Sequence, residues 1–309
     1  MSVARVDTAA AWFGERLAAF VAFSRPHTII GTGLSVTGLY VIAAQEAVAP
    51  SRLALAATLS CALAANLYIV GLNQLTDIPV DRLNKPYLPL AAGALRPGTA
   101  MAWVTLALIV ALAIAASQGP FLLTAIVMGV VIGTAYSVQP LRLKRHPGWA
   151  GASISAVRGL VVNLLVFLHF TTYFGGPASV PPKIWVLTLM ILGLSLAIAW
   201  FKDIPDMTGD RRFDIITLTL RLGAPRVIAL GRGLLSLCFV AVILAGLLGL
   251  PGVNGTVLAV SQVLLLAVLW IASRRLDLGS PLSVRAFYLT VWGLFFAEYV
   301  AFPVACLLG

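Results

Sequence analysis

Nine long runs of apolar residues follow one another along the chain, separated by short segments that hold most of its charged residues. A helix needs about 20 such residues to cross the roughly 30 Å hydrocarbon core of a bilayer. The short alternating strands of a membrane barrel are absent from the sequence. The pattern therefore predicts an all-α membrane protein with nine transmembrane helices, at about residues 28–45, 54–72, 99–117, 121–139, 152–171, 184–201, 227–248, 255–273 and 286–307.

The composition agrees with a membrane protein. Of the 309 residues, 60% are hydrophobic and 10% are charged, whereas soluble domains carry about 25% charged residues. The formal charge of +10 does not indicate a nucleic-acid partner, because the basic residues fall in the connections between apolar runs. We expect one membrane domain over residues 1–309, and the sequence gives no indication of its oligomeric state.

Basic residues are spread unequally over the connections. Those after the second, fourth, sixth and eighth runs hold several Lys and Arg each, whereas those after the odd-numbered runs hold only Arg52 and Lys183. In membrane proteins the excess of Lys and Arg lies in cytoplasmic loops. We therefore expect the N-terminus and the even-numbered connections in the cytoplasm, with a bacterial inner membrane as the simplest location.

The N-terminal residues 1–25 are expected to form an interfacial segment rather than a cleaved signal. Arg5 and Asp7 accompany the apolar Trp12 and Phe13 in this stretch. Such a mixture is typical of an amphipathic helix that lies at a membrane surface.

Two polar segments, residues 73–82 and 202–212, interrupt the apolar pattern. Six of the eleven acidic residues lie in or beside them, namely Asp77, Asp81, Asp203, Asp206, Asp210 and Asp214. The segments follow the second and sixth runs, so both are expected on the cytoplasmic side. Asp-Ile-Pro recurs at 77–79 and 203–205, which an ancient internal duplication would explain.

Helical spacing predicts that the polar side chains of each segment converge. The two sets, spaced i, i+4, i+8 and i, i+3, i+7, are Asn73, Asp77 and Asp81, and Asp203, Asp206 and Asp210. Residues at these spacings share one face of a helix. Pro79 and Pro205 oppose this arrangement, because proline removes a helical hydrogen bond and kinks the helix.

Crowded carboxylates at a membrane border need neighbouring positive charge. One interpretation is a pair of solvated salt-bridge loops, in which Lys and Arg alone supply it. The other is a bound Mg²⁺, because ligands made only of oxygen select hard cations, and Mg²⁺ takes one or two carboxylates together with waters and substrate phosphates. The flanking basic side chains would then hold the phosphates. These are Arg82, Lys85, Lys202, Arg211 and Arg212.

A magnesium-bound diphosphate in a protein embedded in lipid indicates a lipid diphosphate as substrate. The metal and the basic side chains would stabilise charge on the leaving diphosphate, so that the allylic C–O bond ionises and an aromatic acceptor captures the cation. An ion-coupled transporter is the alternative from another class. Transporters, however, place such sites near the membrane midplane on broken helices.

At these residues the chain resembles the UbiA superfamily of intramembrane aromatic prenyltransferases. The resemblance rests on Asn73-x-x-x-Asp77-x-x-x-Asp81 together with the second acidic motif at 203–210. It implies a bundle of nine helices with both motifs facing a central cavity. It also implies a prenyl diphosphate and a small aromatic acceptor as substrates.

Three further segments, at 24–32, 84–93 and 202–210, resemble the homogentisate prenyltransferases of tocopherol and plastoquinone synthesis. They read SRPHTIIGT, NKPYLPLAAG and KDIPDMTGD. The resemblance implies transfer of a phytyl or geranylgeranyl group to homogentisate with decarboxylation. Within the superfamily, 4-hydroxybenzoate, naphthoate or chlorophyllide as acceptor and solanesyl diphosphate as donor stay open.

The resemblance also assigns roles by position. The first motif, at 73, 77 and 81, would hold one Mg²⁺-diphosphate centre, and Asp206 and Asp210, assisted by Asp203, would hold the other. Lys85 and Arg211 would contact phosphate, as would Lys202. Two magnesium ions bridging the diphosphate are therefore expected.

Tyr136 departs from the pattern of its relatives, many of which carry Tyr-x-x-x-Lys after the fourth span. Here Pro140 occupies the lysine position. Arg142 or Lys144 is the expected replacement.

Ionisable residues elsewhere in the spans are further candidates. Arg25 and His27 open the first span and would meet the carboxylate or hydroxyls of the acceptor, or would serve as an interfacial anchor. Arg158 in the fifth span is expected either to contact substrate or to pair with an acid, because an ionisable residue inside a membrane span is a functional candidate. Glu298 in the ninth span is a weaker candidate of the same kind.

Overall fold

The computed structural model describes residues 3–309, with side chains from residue 14 onward, and every element in this range is helical. The α-helices are α1 Val3–Ser24, α2 Pro26–Gln45, α3 Arg52–Thr76, α4 Ile78–Asn84, α5 Pro97–Gln118, α6 Pro120–Ser137, α7 Pro147–Ser155, α8 Phe167–Tyr173, α9 Pro182–Phe201, α10 Met207–Arg212, α11 Leu218–Leu222, α12 Ala224–Leu247, α13 Gly255–Arg274 and α14 Pro281–Leu307. A π-helical segment, Ala156–Val166, joins α7 to α8, and a short 3₁₀ turn covers Leu143–Arg145.

Nine helical spans in the described chain are long and apolar enough to cross a membrane. Helices α7 and α8 with the π-helical segment between them count as one such span, Pro147–Tyr173. The observed ends differ by a few residues from those predicted from the apolar runs. The largest changes are that the fifth span begins at residue 147 instead of 152 and the ninth at 281 instead of 286. The prediction of an all-α protein with nine transmembrane helices is confirmed.

Proline or a capping side chain marks the start of most spans. Pro26, Pro97 and Pro120 each stand at the beginning of a helix. Proline is tolerated there because the first helical N–H groups have no partner within the helix. At the start of α3, the Ser51 hydroxyl accepts a hydrogen bond from the Ala54 N–H at 3.2 Å, and Asn254 caps α13 in the same way. These capping side chains supply hydrogen bonds to backbone N–H groups, which lipid could not supply.

Helix α9 occupies the centre of the bundle. It is the most buried of the spans and packs against α12, α14, α7 and the π-helical segment. Helix α14 also packs against α2, and α3 packs along α5 and α6. The spans therefore surround a common interior, and the polar segments that follow α3 and α9 lie beside each other where α4 contacts α10.

Gly133 on α6 allows α6 and α3 to approach closely. A Cβ atom at this position would lie 2.7 Å from Cγ1 of Ile69, closer than real side-chain contacts allow. Small residues have this function at helix interfaces in membranes, where packing and not the hydrophobic effect holds helices together.

The first helix has an apolar, exposed end. Leu17, Phe20 and Val21 are all more than a third exposed, whereas Phe23 is buried against α5. An exposed apolar surface of this kind is compatible with an interfacial helix. The part of that prediction that rests on Arg5, Asp7, Trp12 and Phe13 lies outside the described side chains.

Candidate active site

The first acidic motif spans the end of α3 and the start of α4. Helix α3 ends at Thr76, and Asp77 alone separates it from α4. The Asp81 N–H nevertheless donates to the Asp77 carbonyl at 2.7 Å, so the helical turn is nearly continuous. Pro79 sits in the first turn of α4, where its missing N–H removes no necessary bond. In place of the kink expected from Pro79, the helix is interrupted at a single residue, Asp77. The carboxylates of Asp77 and Asp81 therefore stay at the same end of the bundle.

The second acidic motif lies on the turn after α9 and on α10. The Asp210 N–H donates to the Asp206 carbonyl at 3.0 Å, again preserving one helical turn, and Pro205 precedes α10. Asp203, Asp206 and Asp210 are all buried. The three carboxylates therefore lie away from bulk water.

Asn84 joins the two motifs. Its Oδ1 accepts a hydrogen bond from the Gly209 N–H at 2.9 Å, and its Nδ2 lies 3.4 Å from Asp210 Oδ1. A Cβ atom on residue 209 would lie 2.3 Å from Asn84 Oδ1, so only glycine permits this approach. The amide of Asn84 thus fixes α10 against α4. In the sequence this asparagine begins the segment NKPYLPLAAG, but nothing there indicates its role.

Each motif is neutralised by cations from other parts of the chain. Lys144 Nζ lies 2.5 Å and Arg142 Nη2 lies 3.2 Å from the same oxygen, Oδ1 of Asp77. Asn73 Nδ2 donates to the other oxygen of Asp77 at 3.0 Å. Lys85, which follows the first motif, pairs with Asp206 of the second. This crossed pair brings the two motifs face to face.

The partner of Tyr136 is neither of the two basic residues that the sequence predicted. Lys202 Nζ donates to the Tyr136 hydroxyl at 3.0 Å and pairs with Asp203 Oδ1 at 3.1 Å. Arg142 and Lys144, the expected replacements, both bind Asp77 instead. The lysine that contacts this tyrosine therefore comes from the end of α9, where one-dimensional spacing could not reveal it.

The carboxylates raise one another's affinity for protons. Burial, and then repulsion from Asp206 and Asp203, raises the pKa of Asp210 to about 7. Burial raises the pKa of Asp81 to about 6, with repulsion from Asp77 and Asp206 added and the charges of Lys85 and Arg25 opposing it. Burial therefore makes these two carboxylates hold protons more strongly than exposed ones do.

The arrangement fits magnesium held together with a diphosphate. Within the described residues, no three His, Cys, Asp or Glu side chains stand close enough to hold a metal by themselves. Mg²⁺ needs only one or two carboxylates when phosphates and waters supply the other ligands. Oδ1 of Asp206 is buried and has no hydrogen-bond partner within the described chain, which leaves it available as a ligand. The donors are all oxygens, as a hard cation requires.

A cavity of about 250 Å³ opens beside the two motifs. Its polar end is lined by Asn73, Tyr136 and Lys202, and its walls are mainly aliphatic and aromatic. On α6 the lining extends from Leu122 to Tyr136, a separation that corresponds to about 21 Å along the helix axis. The cavity is therefore a deep, mainly apolar chamber with Asn73, Tyr136 and Lys202 at one end.

The structure divides the other candidate residues into two groups. Arg25, His27 and Arg158 line the cavity. Arg82 and Arg211 are exposed, and their roles as phosphate contacts stay predictions. Trp292, which also lines the cavity, gave no signal in the sequence because an aromatic residue within an apolar run is most often a packing residue.

Glu298 has a partner on a neighbouring span. Gln262 Nε2 lies 3.2 and 3.0 Å from the two carboxylate oxygens of Glu298, and both residues are fully buried. The pair joins α13 to α14, and neither residue lines the cavity. Of the two alternatives left open for Glu298, substrate contact or a structural pair, this contact favours the structural pair.

The model of the UbiA prenyltransferase family matches residues 33–298. The chain belongs to this family. It is an enzyme, a prenyltransferase, and the transporter alternative is therefore not supported.

Two curated relatives are similar over almost the whole chain. It is 45% identical over 293 residues to the homogentisate phytyltransferase of Synechocystis sp., covering 93% of this chain and 95% of the relative. It is 35% identical over 306 residues to the homogentisate geranylgeranyltransferase of Triticum aestivum, covering 94% and 75%. Both names agree with the resemblance found in the sequence motifs.

A solved structure shows the same fold. The UbiA homolog from Archaeoglobus fulgidus, bound to GPP and Mg²⁺, superposes with a TM-score of 0.65 over 93% of this chain and 99% of that one, at 19% identity. The nine-helix architecture of this UbiA prenyltransferase is therefore that of the family.

Proposed function

We propose that this chain transfers a phytyl or geranylgeranyl group from its diphosphate to homogentisate, with Mg²⁺ and with loss of CO₂. The observation that carries this proposal is the pair of facing acidic motifs with their cations at the mouth of a deep apolar cavity. The names of the relatives from Synechocystis sp. and Triticum aestivum support homogentisate as the acceptor. The ligands of the Archaeoglobus fulgidus homolog support Mg²⁺ and a prenyl diphosphate.

The two motifs would bind the diphosphate end of the donor. Asn73, Asp77 and Asp81 would hold one Mg²⁺, and Asp206 and Asp210, assisted by Asp203, would hold the other. Bound Mg²⁺ supplies a Lewis acid that stabilises charge on the diphosphate oxygens.

The basic residues at the mouth would contact the diphosphate in this proposal. Lys144 and Arg142 pair with Asp77, and Lys85 pairs with Asp206. If these carboxylates held Mg²⁺ instead, the same ammonium and guanidinium groups would be free to hold the diphosphate oxygens. Lys202, held by the Tyr136 hydroxyl, would contact the diphosphate at the start of the cavity. Positive charge is thus placed where the leaving group gains negative charge.

The cavity would hold the prenyl chain and keep water from the allylic cation. The C–O bond to the diphosphate breaks with both electrons going to oxygen, and a ring carbon of the acceptor supplies the pair for the new C–C bond. The ring then loses its proton. On the side chain, the bond to the carboxylate carbon breaks, CO₂ leaves, and the remaining carbon gains a proton, so protons balance.

We place the active site on the cytoplasmic side of a bacterial inner membrane. The proposal rests on the basic connections after even-numbered spans, which include both acidic motifs. The water-soluble acceptor and the released diphosphate would then enter and leave on one side, while the prenyl chain stays within the membrane.

Purified protein should be incubated with homogentisate, Mg²⁺ and phytyl, geranylgeranyl or solanesyl diphosphate, and the products identified by mass. We expect a prenylated product lighter by CO₂ with the phytyl or geranylgeranyl donor, and none after chelation of the metal until Mg²⁺ is restored. A product that retains the carboxyl group would refute decarboxylation. Absence of product from every donor would refute the proposed function. Parallel reactions with 4-hydroxybenzoate and a naphthoate would identify a different acceptor.

A further inference from the structure

Arg158 lies in an unusual part of the fifth span. It belongs to the π-helical segment Ala156–Val166 and lines the cavity. π-helical turns are rare and occur frequently at functional sites, because they shift side chains out of the ordinary helical register. The segment is pressed onto α9 at the next residue, since a Cβ on Gly159 would lie 2.6 Å from Leu192 Cγ. The backbone that carries Arg158 is thus held in place by packing.

Trp292 supports the Arg158 guanidinium within the cavity. Cζ of Arg158 lies 4.6 Å from the centre of the Trp292 ring, in a cation–π contact. The His27 ring meets the same tryptophan edge-on, with ring centres 5.0 Å apart. Trp292 is 2% exposed, so this platform is fixed. We call Arg158, His27 and Trp292 the arginine platform.

Arg158 has no acidic partner among the described residues. None of the ion pairs of the motif carboxylates involves Arg158. Those pairs join Asp77, Asp203 and Asp206 to Lys85, Arg142, Lys144 and Lys202. Glu298, on the same helix as Trp292, is bound by Gln262 of α13. A cation inside a membrane span ordinarily has a counter-charge from the protein or from what it binds. No described carboxylate supplies this counter-charge for Arg158, so a bound anion could supply it.

The platform matches an aromatic carboxylate. A guanidinium presents N–H donors in a planar fork that fits the two oxygens of a carboxylate, and stacking on Trp292 leaves that fork free. The adjacent cavity walls include Tyr288, Phe295 and Tyr299, which offer aromatic surface to a ring. We infer that Arg158 binds the carboxylate of the aromatic acceptor and thereby selects acidic over neutral acceptors. This inference rests on the proposed function. It places the carboxylate of the acceptor at Arg158, apart from the diphosphate at the mouth.

The test measures the binding of homogentisate and of 4-hydroxybenzoate, each against its uncharged methyl ester, to purified protein by calorimetry. We expect wild-type protein to prefer the acid about 10- to 100-fold, as one charge-assisted hydrogen-bonded pair provides. Arg158→Gln should abolish that preference and leave the KM for the prenyl diphosphate within about twofold. Arg158→Lys should retain part of the preference, because it keeps the charge but not the fork. The Lys variant also keeps the test decisive if the Gln variant does not fold.

Arg232 provides a matched control. Its guanidinium stacks on Trp270 with Cζ 4.7 Å from the ring centre, nearly the geometry of Arg158, but neither residue lines the cavity. Arg232→Gln should leave the acid-over-ester preference unchanged. The inference is overturned if Arg158→Gln keeps the preference, if wild type shows none, or if Arg25→Gln alone removes it. Because binding is measured directly, a failure to prenylate homogentisate would refute the proposed function without affecting this result.

Discussion

Replacing Asn84 with Ala tests whether the two acidic motifs work as one site. The change removes the hydrogen bond from the Gly209 N–H at 2.9 Å and the 3.4 Å contact with Asp210. Removing one partner so that a buried N–H is left unsatisfied costs about 1–3 kcal/mol. We therefore expect the aligned pair of motifs to be weakened by about 1–3 kcal/mol, which corresponds to roughly 5- to 150-fold in an equilibrium constant.

The assay measures the rate of prenyl transfer by the variant as a function of Mg²⁺ concentration, with the aromatic acceptor at a saturating concentration. We expect the Mg²⁺ concentration for half-maximal rate and the KM for the prenyl diphosphate to rise together, and the KM for the acceptor to change little. Asn84→Asp keeps an oxygen that accepts the hydrogen bond from the Gly209 N–H, but it places a negative charge beside Asp210. This variant should therefore fold less well than Asn84→Ala without Mg²⁺, and its folding should recover partly when Mg²⁺ is added.

Gly209→Ala should reproduce the Asn84→Ala effect, because the added Cβ would meet Asn84 Oδ1 at 2.3 Å. Gly98→Ala is the matched control, since a Cβ there has no neighbour within 4 Å. If Asn84→Ala and Gly209→Ala both bind Mg²⁺ and donor as wild type does, the two motifs do not depend on this contact and the reasoning is wrong.

Three other outcomes are expected. Asp77→Ala should lower turnover at least 100-fold while a thermal melt still shows a folded protein, and an unchanged rate would contradict its role as a ligand. Tyr136→Phe should slow turnover about tenfold, because Lys202 loses the hydroxyl that accepts its hydrogen bond at 3.0 Å, and steady-state kinetics should show the loss in kcat over KM for the donor. Glu298→Gln should keep near-normal activity, since its contact with Gln262 lies outside the cavity, and a large loss of activity in the standard assay would place it in the mechanism instead.

Much of the fold followed from the sequence because the bilayer limits what a membrane protein can be. Backbone groups within lipid must be bonded inside their own helix, so each run of about 20 apolar residues specifies one span. The fifth span was longer than predicted, since Pro147 begins it and His146, at the polar border, gave no apolar signal for its first turn. The placement of the two motifs at the same end of the bundle also followed, because each comes after an even-numbered span.

The pairing within the site did not follow from the sequence. Lys85 comes four residues after Asp81, yet it binds Asp206, 121 residues away. Lys202 is adjacent to Asp203, yet it also binds Tyr136 from α6. Spacing along one helix predicts which residues share a face, but not which face of another helix they meet.

The sequence by itself determined the class of protein, the number of spans and the positions of the acidic motifs, because hydropathy and helical period act locally along the chain. Only the tertiary structure decided that Asn84 fixes one motif to the other and that Arg158 rests on Trp292 inside the cavity. These contacts depend on how far each helix is rotated and how closely it packs. Rotation and packing are set by side chains distant in sequence, such as Gly209 opposite Asn84.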